Sequence, residues 1–290
     1  MPELPEVETT VKGLNAKVLK GTFVSIWSDW EKLVKKPKDF HEFEKQIRNK
    51  KIIKIWRRAK NIIFDLSDGY SLLVHQKMTG HLLIGKWKQV NGQWKSKKSG
   101  PLDDPYNRFL HLIFFFKEGQ MMALSDARKF AKVELWKTNE LLNSEEFKNL
   151  GPEPLDKSFT FNKFKEVLEY KKGKIKQVLM VPQVIAGIGN IYASEILWWS
   201  KVNPEKSVAK LNKKELRLIY LAMKKVLEKA VKLGGDSFSD YRKPDGTKGG
   251  FHVERKVYSR EGLKCARCVN AIKRKTFGGR STFFCPMCQK

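Results

Sequence analysis

The spacing of hydrophobic positions along this 290-residue chain changes character several times. Near the start, Val7, Val11, Leu14 and Val18 recur at steps of four, three and four, which is one face of a helix, and Gly21 follows as a stop signal. From about Thr22 to Trp136 the pattern becomes that of strands. GTFVSIWSD and KKIIKIWRR alternate or run apolar, and NIIFDLS-DG-YSLLVH puts Asp68-Gly69 where a tight hairpin turn belongs. RFLHLIFFF-KEGQ-MMALSD is a second hairpin of the same kind. A helix followed by several antiparallel strands predicts a sandwich with the opening helix packed on it. Residues 85–107, rich in Gly, Lys and Pro, read as a long surface loop, and the prolines of GPEPLD at 151–156 mark a boundary. A helical region then runs from roughly 160 to 233 and ends KLGG, with a glycine stop. The last segment, from about 250, is short and basic and holds all four cysteines. The pattern divides the chain into residues 1–136, a linker at 137–157, a helical segment at 158–250 and a terminal segment at 251–290.

Composition adds a partner to this outline. Hydrophobic residues make up 41% of the chain, with 18 Phe and 8 Trp, enough for real cores, so wholesale disorder is excluded. Lys and Arg number 58 against 31 Asp and Glu, and the formal net charge of +27 is spread along the whole length. A globular protein this cationic points to a polyanion, most commonly nucleic acid. No apolar run approaches the ~18–20 residues of a membrane span. The start also lacks the basic and apolar regions of a secretory signal, so the chain reads as cytosolic, with no membrane partner. Cysteines in that compartment serve as metal ligands or free thiols more often than as disulfides.

Three stretches carry chemistry. Cys265 and Cys268 are spaced C-x-x-C, as are Cys285 and Cys288, a pattern that lets two turn-borne thiolate pairs close a tetrahedron around one zinc ion. Four thiolates leave no open position, so this site is structural, and it uses every cysteine in the chain. In VIAGIGNIYASEILW, Gly187-Ile188-Gly189 precedes a helical run, a turn whose backbone N–H groups suit a phosphate; Asn190 either adds a donor to that phosphate or caps the helix. At the start, removal of Met1 would expose the secondary amine of Pro2. Such an amine can attack an electrophilic carbon, as catalytic lysines do with carbonyls, and Glu3 and Glu6 stand beside it as candidate proton carriers.

Taken together, MPELPEVETT, RRAKNIIFDL, HQKMTG, SDARKF, GPEPL, GIGNIYASE and the four-cysteine ribbon resemble the formamidopyrimidine-DNA glycosylase family of the MutM/Nei superfamily, in the family's order from one end of the chain to the other. The resemblance implies an α+β, two-lobed protein: an N-terminal β-sandwich with flanking helices, then a helix-two-turn-helix domain with a C-terminal zinc ribbon, with DNA in the cleft between. It implies that Pro2 is the nucleophile that attacks C1′ of the damaged nucleotide, Glu3 the catalytic carboxylate, Glu6 a second acid and Lys60 a grip on a phosphate beside the lesion. It assigns Met78, Arg128 and Phe130 to a wedge that enters the duplex when the base is flipped out. His75, Asn190, Tyr192 and Arg280 fall at further DNA-binding positions. The implied activity is bifunctional base excision on double-stranded DNA carrying damaged bases or abasic sites. An oxidised base, with 8-oxoguanine or formamidopyrimidine first, leaves through a Schiff base on Pro2, followed by β,δ-elimination, in a monomer acting in the cytoplasm at the bacterial nucleoid. Oxidised pyrimidines such as thymine glycol or 5-hydroxycytosine are the alternative substrates. A DNA-binding module without catalysis and a zinc-ribbon RNA-binding protein are the rivals from other classes. The chain departs from the family in reading HQKM where HLGM or HLRM is usual, DARKF where DPRRF is common, and in its longer 85–107 stretch. Residues 234–252 fall where the 8-oxoguanine enzymes have a lesion-capping loop.

Overall fold

A computed structural model describes residues 1–290. The chain forms two compact units, Met1–Lys148 with Leu233–Gly250, and Asn149–Lys232 with Phe251–Lys290. No helix is long and apolar enough to cross a membrane.

The first unit opens with α1 (Leu4–Val18), whose buried face is the predicted stripe of Val7, Val11, Leu14 and Val18, extended by Leu4. There follow β1 (Phe23–Ser28), β2 (Val34–Lys36), α2 (Phe40–Ile47), β3 (Ile52–Arg58), β4 (Asn61–Leu66), β5 (Tyr70–His75), β6 (His81–Gly85), β7 (Trp87–Val90), β8 (Gln93–Ser96), β9 (Leu110–Phe116), β10 (Met121–Ser125), β11 (Lys132–Lys137), α3 (Thr138–Asn143) and α4 (Glu145–Lys148). Two sheets result, with strand orders β1-β9-β10-β6 and β2-β11-β5-β4-β3. Alternating residues of both sheets meet in one core: Phe23, Leu82, Phe114 and Leu124 from the first, Ile55, Phe64, Leu72 and Val133 from the second. The α1 stripe and Phe43 and Ile47 of α2 belong to the same core. This is the expected sandwich with its opening helix. Both predicted hairpins are present. Leu66 pairs with Tyr70 across Asp68 (φ 60°) and Gly69 (φ 70°), and Phe115 pairs with Met121.

Two segments differ from the sequence reading. Residues 85–107 are not an open loop: β7 and β8 form a hairpin turned by Asn91 (φ 52°) and Gly92 (φ 75°), followed by single 3₁₀ turns at Pro101–Asp103 and Pro105–Asn107. The physical signal is an Asn-Gly turn, flanked by Trp87 and Trp94, which pack with Trp27 and Phe115 over the outer-face residues Leu83, Ile113 and Met121. Residues 233–250, read as part of the helical segment, group instead with the first unit. There the Asp236 N–H donates to Glu6, Arg242 pairs with Asp104 at 3.0 Å, and the Ile84 N–H donates to the Pro244 carbonyl at 2.7 Å.

The second unit contains α5 (Phe161–Glu169), α6 (Ile175–Leu179), α7 (Asn190–Trp199), α8 (Lys213–Lys232) and the ribbon strands β12 (Lys273–Phe277) and β13 (Arg280–Phe284). α7 is buried from Tyr192 to Trp198. Glu195, alone among apolar and small neighbours, accepts the backbone N–H groups of Lys256, Val257 and Tyr258 at 2.9, 3.0 and 2.9 Å. The Trp198 indole donates to Cys265 Sγ at 3.4 Å, and the Arg267 guanidinium lies 3.7 Å from the Trp198 ring centre. One helix thus supports both the segment leading into the ribbon and the ribbon itself.

Candidate nucleic-acid interface and metal centre

Prolines at the first positions suit a helix start, because the N–H they lack has no partner there anyway. Pro2 is buried immediately before α1, and Glu3 caps the helix, its N–H donating to Glu6 Oε2 at 2.8 Å. The other oxygen of Glu6 accepts the Asp236 N–H at 2.7 Å. Glu6, expected as a proton carrier, also clamps the helix start to the 233–250 segment. Gly235 lies against it with φ +78°, and a Cβ there would stand 2.8 Å from Glu6 Oε1, so only glycine passes. The Tyr241 hydroxyl donates to the Glu6 carbonyl at 3.0 Å, and burial raises its pKa, which keeps it a neutral donor.

The terminal amine sits in this setting. With Met1 in place, burial lowers the pKa of its amine, while Glu3, Glu6 and Asp240 pull it up and the Lys60 ammonium pushes it down. Lys60 is placed by the turn between β3 and β4, after Ala59 at φ 53°. His75 ends β5, and its Nδ1 accepts the Lys77 N–H at 3.0 Å. Burial, aided by Lys77, Lys60 and Lys132, depresses His75 to about 3, so the ring is neutral and Nε2 carries the proton as a donor. The N-terminus, Glu3, Lys60 and His75 thus form one constellation of an amine, a buried carboxylate, a cation and a neutral donor.

The wedge candidates are also brought together. Met78 lies in the turn after β5, Arg128 and Phe130 in the turn between β10 and β11. Phe130 is 53% exposed, and the Arg128 guanidinium rests 4.7 Å from its ring centre. Asp126, fully buried, ties the two turns: its carboxylate accepts the Thr79 hydroxyl and the N–H groups of Ala131 (2.7 Å) and Arg128 (3.3 Å). Sequence reasoning does not single out Asp126, although an Asp followed by a small residue at a strand end is the signature of such a side-chain-stabilised turn.

In the second unit, Gly187 (φ +85°) makes the predicted turn, and Asn190 is the first residue of α7, its Oδ1 meeting no partner within the chain. Arg280 is exposed at the start of β13, just past the Gly278-Gly279 turn. Lys176, fully buried and unremarked in the sequence, donates to the Ser281 carbonyl at 3.1 Å and to Thr282 Oγ1 at 2.9 Å, which fixes that turn against α6. Tyr192 is fully buried, and its ring lies 5.1 Å from that of Phe251 in the core of the second unit. An apolar ring among the small residues of YAS belongs to the buried face of α7.

The four cysteine sulfurs lie within 4.8 Å of one another, with Cys265–Cys288 at 3.9 Å and Cys268–Cys285 at 3.4 Å. Tetrahedral zinc with Zn–S bonds of about 2.3 Å needs sulfur–sulfur edges of about 3.8 Å. The donor set fits one zinc ion, with a structural role.

Comparison with known proteins agrees with this geometry. Residues 1–133 match the model of the formamidopyrimidine-DNA glycosylase N-terminal domain, 150–242 that of the formamidopyrimidine-DNA glycosylase H2TH domain, and 262–290 that of a zinc finger found in FPG and IleRS. A formamidopyrimidine-DNA glycosylase of Pelotomaculum thermopropionicum is 37% identical, over 100% of this chain and 99% of its own length. That of Lactococcus lactis subsp. cremoris is 35% identical over the whole of both chains. A crystal structure of wild-type Lactococcus lactis Fpg (MutM) with DNA containing N7-benzyl-Fapy-dG superposes with a TM-score of 0.85 at 34% identity over 100% of both chains. The complex of the same wild-type protein with DNA containing an oxidised pyrimidine gives the same values.

Proposed function

This chain belongs to the formamidopyrimidine-DNA glycosylase family, and from that premise we propose a bifunctional DNA glycosylase and lyase that excises oxidised purines from duplex DNA through the amine of Pro2. With Met1 removed, the neutral secondary amine of Pro2 forms a bond to C1′ as the bond from C1′ to the base breaks. The base departs with a proton, and the sugar ring opens to a cationic iminium. That iminium acidifies the neighbouring C–H, so loss of a proton expels the 3′ phosphate, and a second elimination expels the 5′ phosphate. Glu3 is the proton carrier of these steps. Lys60 and the Nε2–H of neutral His75 hold phosphates beside the lesion. Met78, Arg128 and Phe130 fill the gap left by the flipped nucleotide, Asn190 and Arg280 contact the backbone, and the zinc ion held by the four cysteines fixes the ribbon that carries Arg280. The protein would act on chromosomal DNA, as a monomer.

The observation that carries this reading is the burial of Pro2 and Glu3 together at the start of α1, with the Lys60 ammonium close to the terminus. A terminal amine titrates near ~7.7–8, so a useful fraction of it is neutral, and hence nucleophilic, at physiological pH. Borohydride reduction during turnover on duplex containing 8-oxoguanine should yield a covalent adduct at the N-terminal peptide. An enzyme that nicks this DNA but is trapped elsewhere, or is trapped equally well after the amine is blocked, overturns the assignment. A second reading, oxidised pyrimidines as substrates, is favoured by the Lactococcus lactis complex with such DNA. Cutting rates on duplexes carrying 8-oxoguanine, thymine glycol, 5-hydroxycytosine or an abasic site separate the two.

A further inference from the structure

The β7–β8 hairpin leaves a cavity of about 520 Å³ between itself, the end of β1 and the start of β9. Its walls are aromatic and basic. Trp27 and Trp94 stand edge to face at 5.4 Å, Phe109 is 37% exposed, and Lys95 and Arg108 flank the opening, both exposed. The one carboxylate of the lining, Asp29, is held by His111 Nδ1 at 2.8 Å.

The wall of this cavity is tied to the wedge turns through the backbone. The Phe109 carbonyl accepts the Asp126 N–H at 2.9 Å, and Asp126 is the residue that ties the turns carrying Met78 and Arg128. Lys129, between Arg128 and Phe130, lies 4.6 Å from the exposed ring of Trp30, just past β1. Contacts and chain neighbours thus lead from the terminus, Lys60 and His75 to Met78 and Arg128, and through Asp126 to Phe109 and the hairpin cavity. Damaged strand on the first group and wedge in the middle leave the far side to the other strand.

We propose that the hairpin cavity binds a nucleotide of the undamaged strand, its base stacked on the Phe109 and tryptophan wall and its phosphate on Lys95 and Arg108. The proposal rests on the excision reading above. Base stacking on aromatic side chains combined with cations along the backbone is the general chemistry of single-strand contacts, and the cavity is of the size that holds a nucleotide. The hairpin thereby extends the DNA footprint past the wedge, on the side away from the reacting sugar.

The test is fluorescence anisotropy with duplexes carrying a tetrahydrofuran abasic analogue, the undamaged strand either full length or shortened stepwise. On the full-length duplex, Phe109→Ala should weaken binding by about 5- to 150-fold, the range for loss of one stacked base. Lys95→Ala with Arg108→Ala should lower the slope of log affinity against log salt by about 0.9 for each phosphate that is no longer neutralised. Both effects should vanish once the undamaged strand no longer reaches the cavity, and 2-aminopurine placed along that strand should respond at one position in the wild type and not in Phe109→Ala. All three side chains are exposed, so thermal unfolding should be unchanged. Wild-type affinity in both variants on every duplex, or a weakening that persists at every strand length, overturns the proposal. Excision by the wild-type protein, measured in parallel, reports on the underlying activity separately.

Discussion

Gln76 keeps a primary amide inside an apolar sandwich. It directly follows β5, continuing the alternation of the inward-facing Leu72 and Val74, is 1% exposed, and neither its Oε1 nor its Nε2 meets a partner. An amide buried this way costs about 1–3 kcal/mol. Relatives with HLGM or HLRM carry leucine here, and Gln76→Leu should raise the free energy of urea unfolding by about 1–2 kcal/mol; an unchanged or lower value means that the amide is engaged. Burial also holds His75 and His81 neutral. The unfolded chain binds a proton at each near pH 6.5, the folded one only well below, at about 3 for His75. Their contribution to stability is thus complete above about pH 6.5 and is lost as pH falls below it. Urea midpoints should decline from pH 7 to pH 5, and His75→Asn should flatten that decline. The case for Pro2 and Glu3 is legible because the chemistry it rests on is local in sequence. The clamp role of Glu6 is not, since its partner Asp236 lies 230 positions away.

At the scale of elements, strands and turns are legible where turn chemistry is local. Asp68-Gly69 and the paired apolar runs on either side of it need no tertiary information. The β7–β8 hairpin reads as loop because its composition is polar and only Trp87 and Trp94 anchor it; the Asn91-Gly92 dipeptide is the available signal. α2 escapes the hydrophobic pattern for a related reason, as only Phe43 and Ile47 of its eight residues are buried. α7 is the opposite case, apolar on nearly every side and interrupted by a single carboxylate. Glu195→Ala would leave three N–H groups without their acceptor at once, each costing about 1 kcal/mol or more. The expected result is a loss of at least about 3 kcal/mol, read as a lower thermal midpoint and seen also in faster hydrogen exchange at Lys256, Val257 and Tyr258.

For the molecule as a whole, the charge of +27 is the earliest pointer to a polyanionic partner, and the cysteine spacing to a metal. Zinc supplies folding energy that so small a ribbon cannot draw from its own core. Stripping the metal with a chelator should release one zinc ion per chain and reduce affinity for abasic duplex, while the unfolding transition of the first unit persists. Retained affinity after complete release would mean that the ribbon holds its shape without metal. The grouping of the segments has a consequence in time as well as in space. During synthesis α1, which bears Glu6 and follows Pro2 and Glu3, leaves the ribosome early, yet the Asp236 N–H and the Tyr241 hydroxyl that engage Glu6 are made after the whole of 149–232. The segment around Pro2 and Glu3 is therefore among the last parts to be closed, and a nascent protein holds the proposed nucleophile in an incomplete setting until about five-sixths of this chain exists.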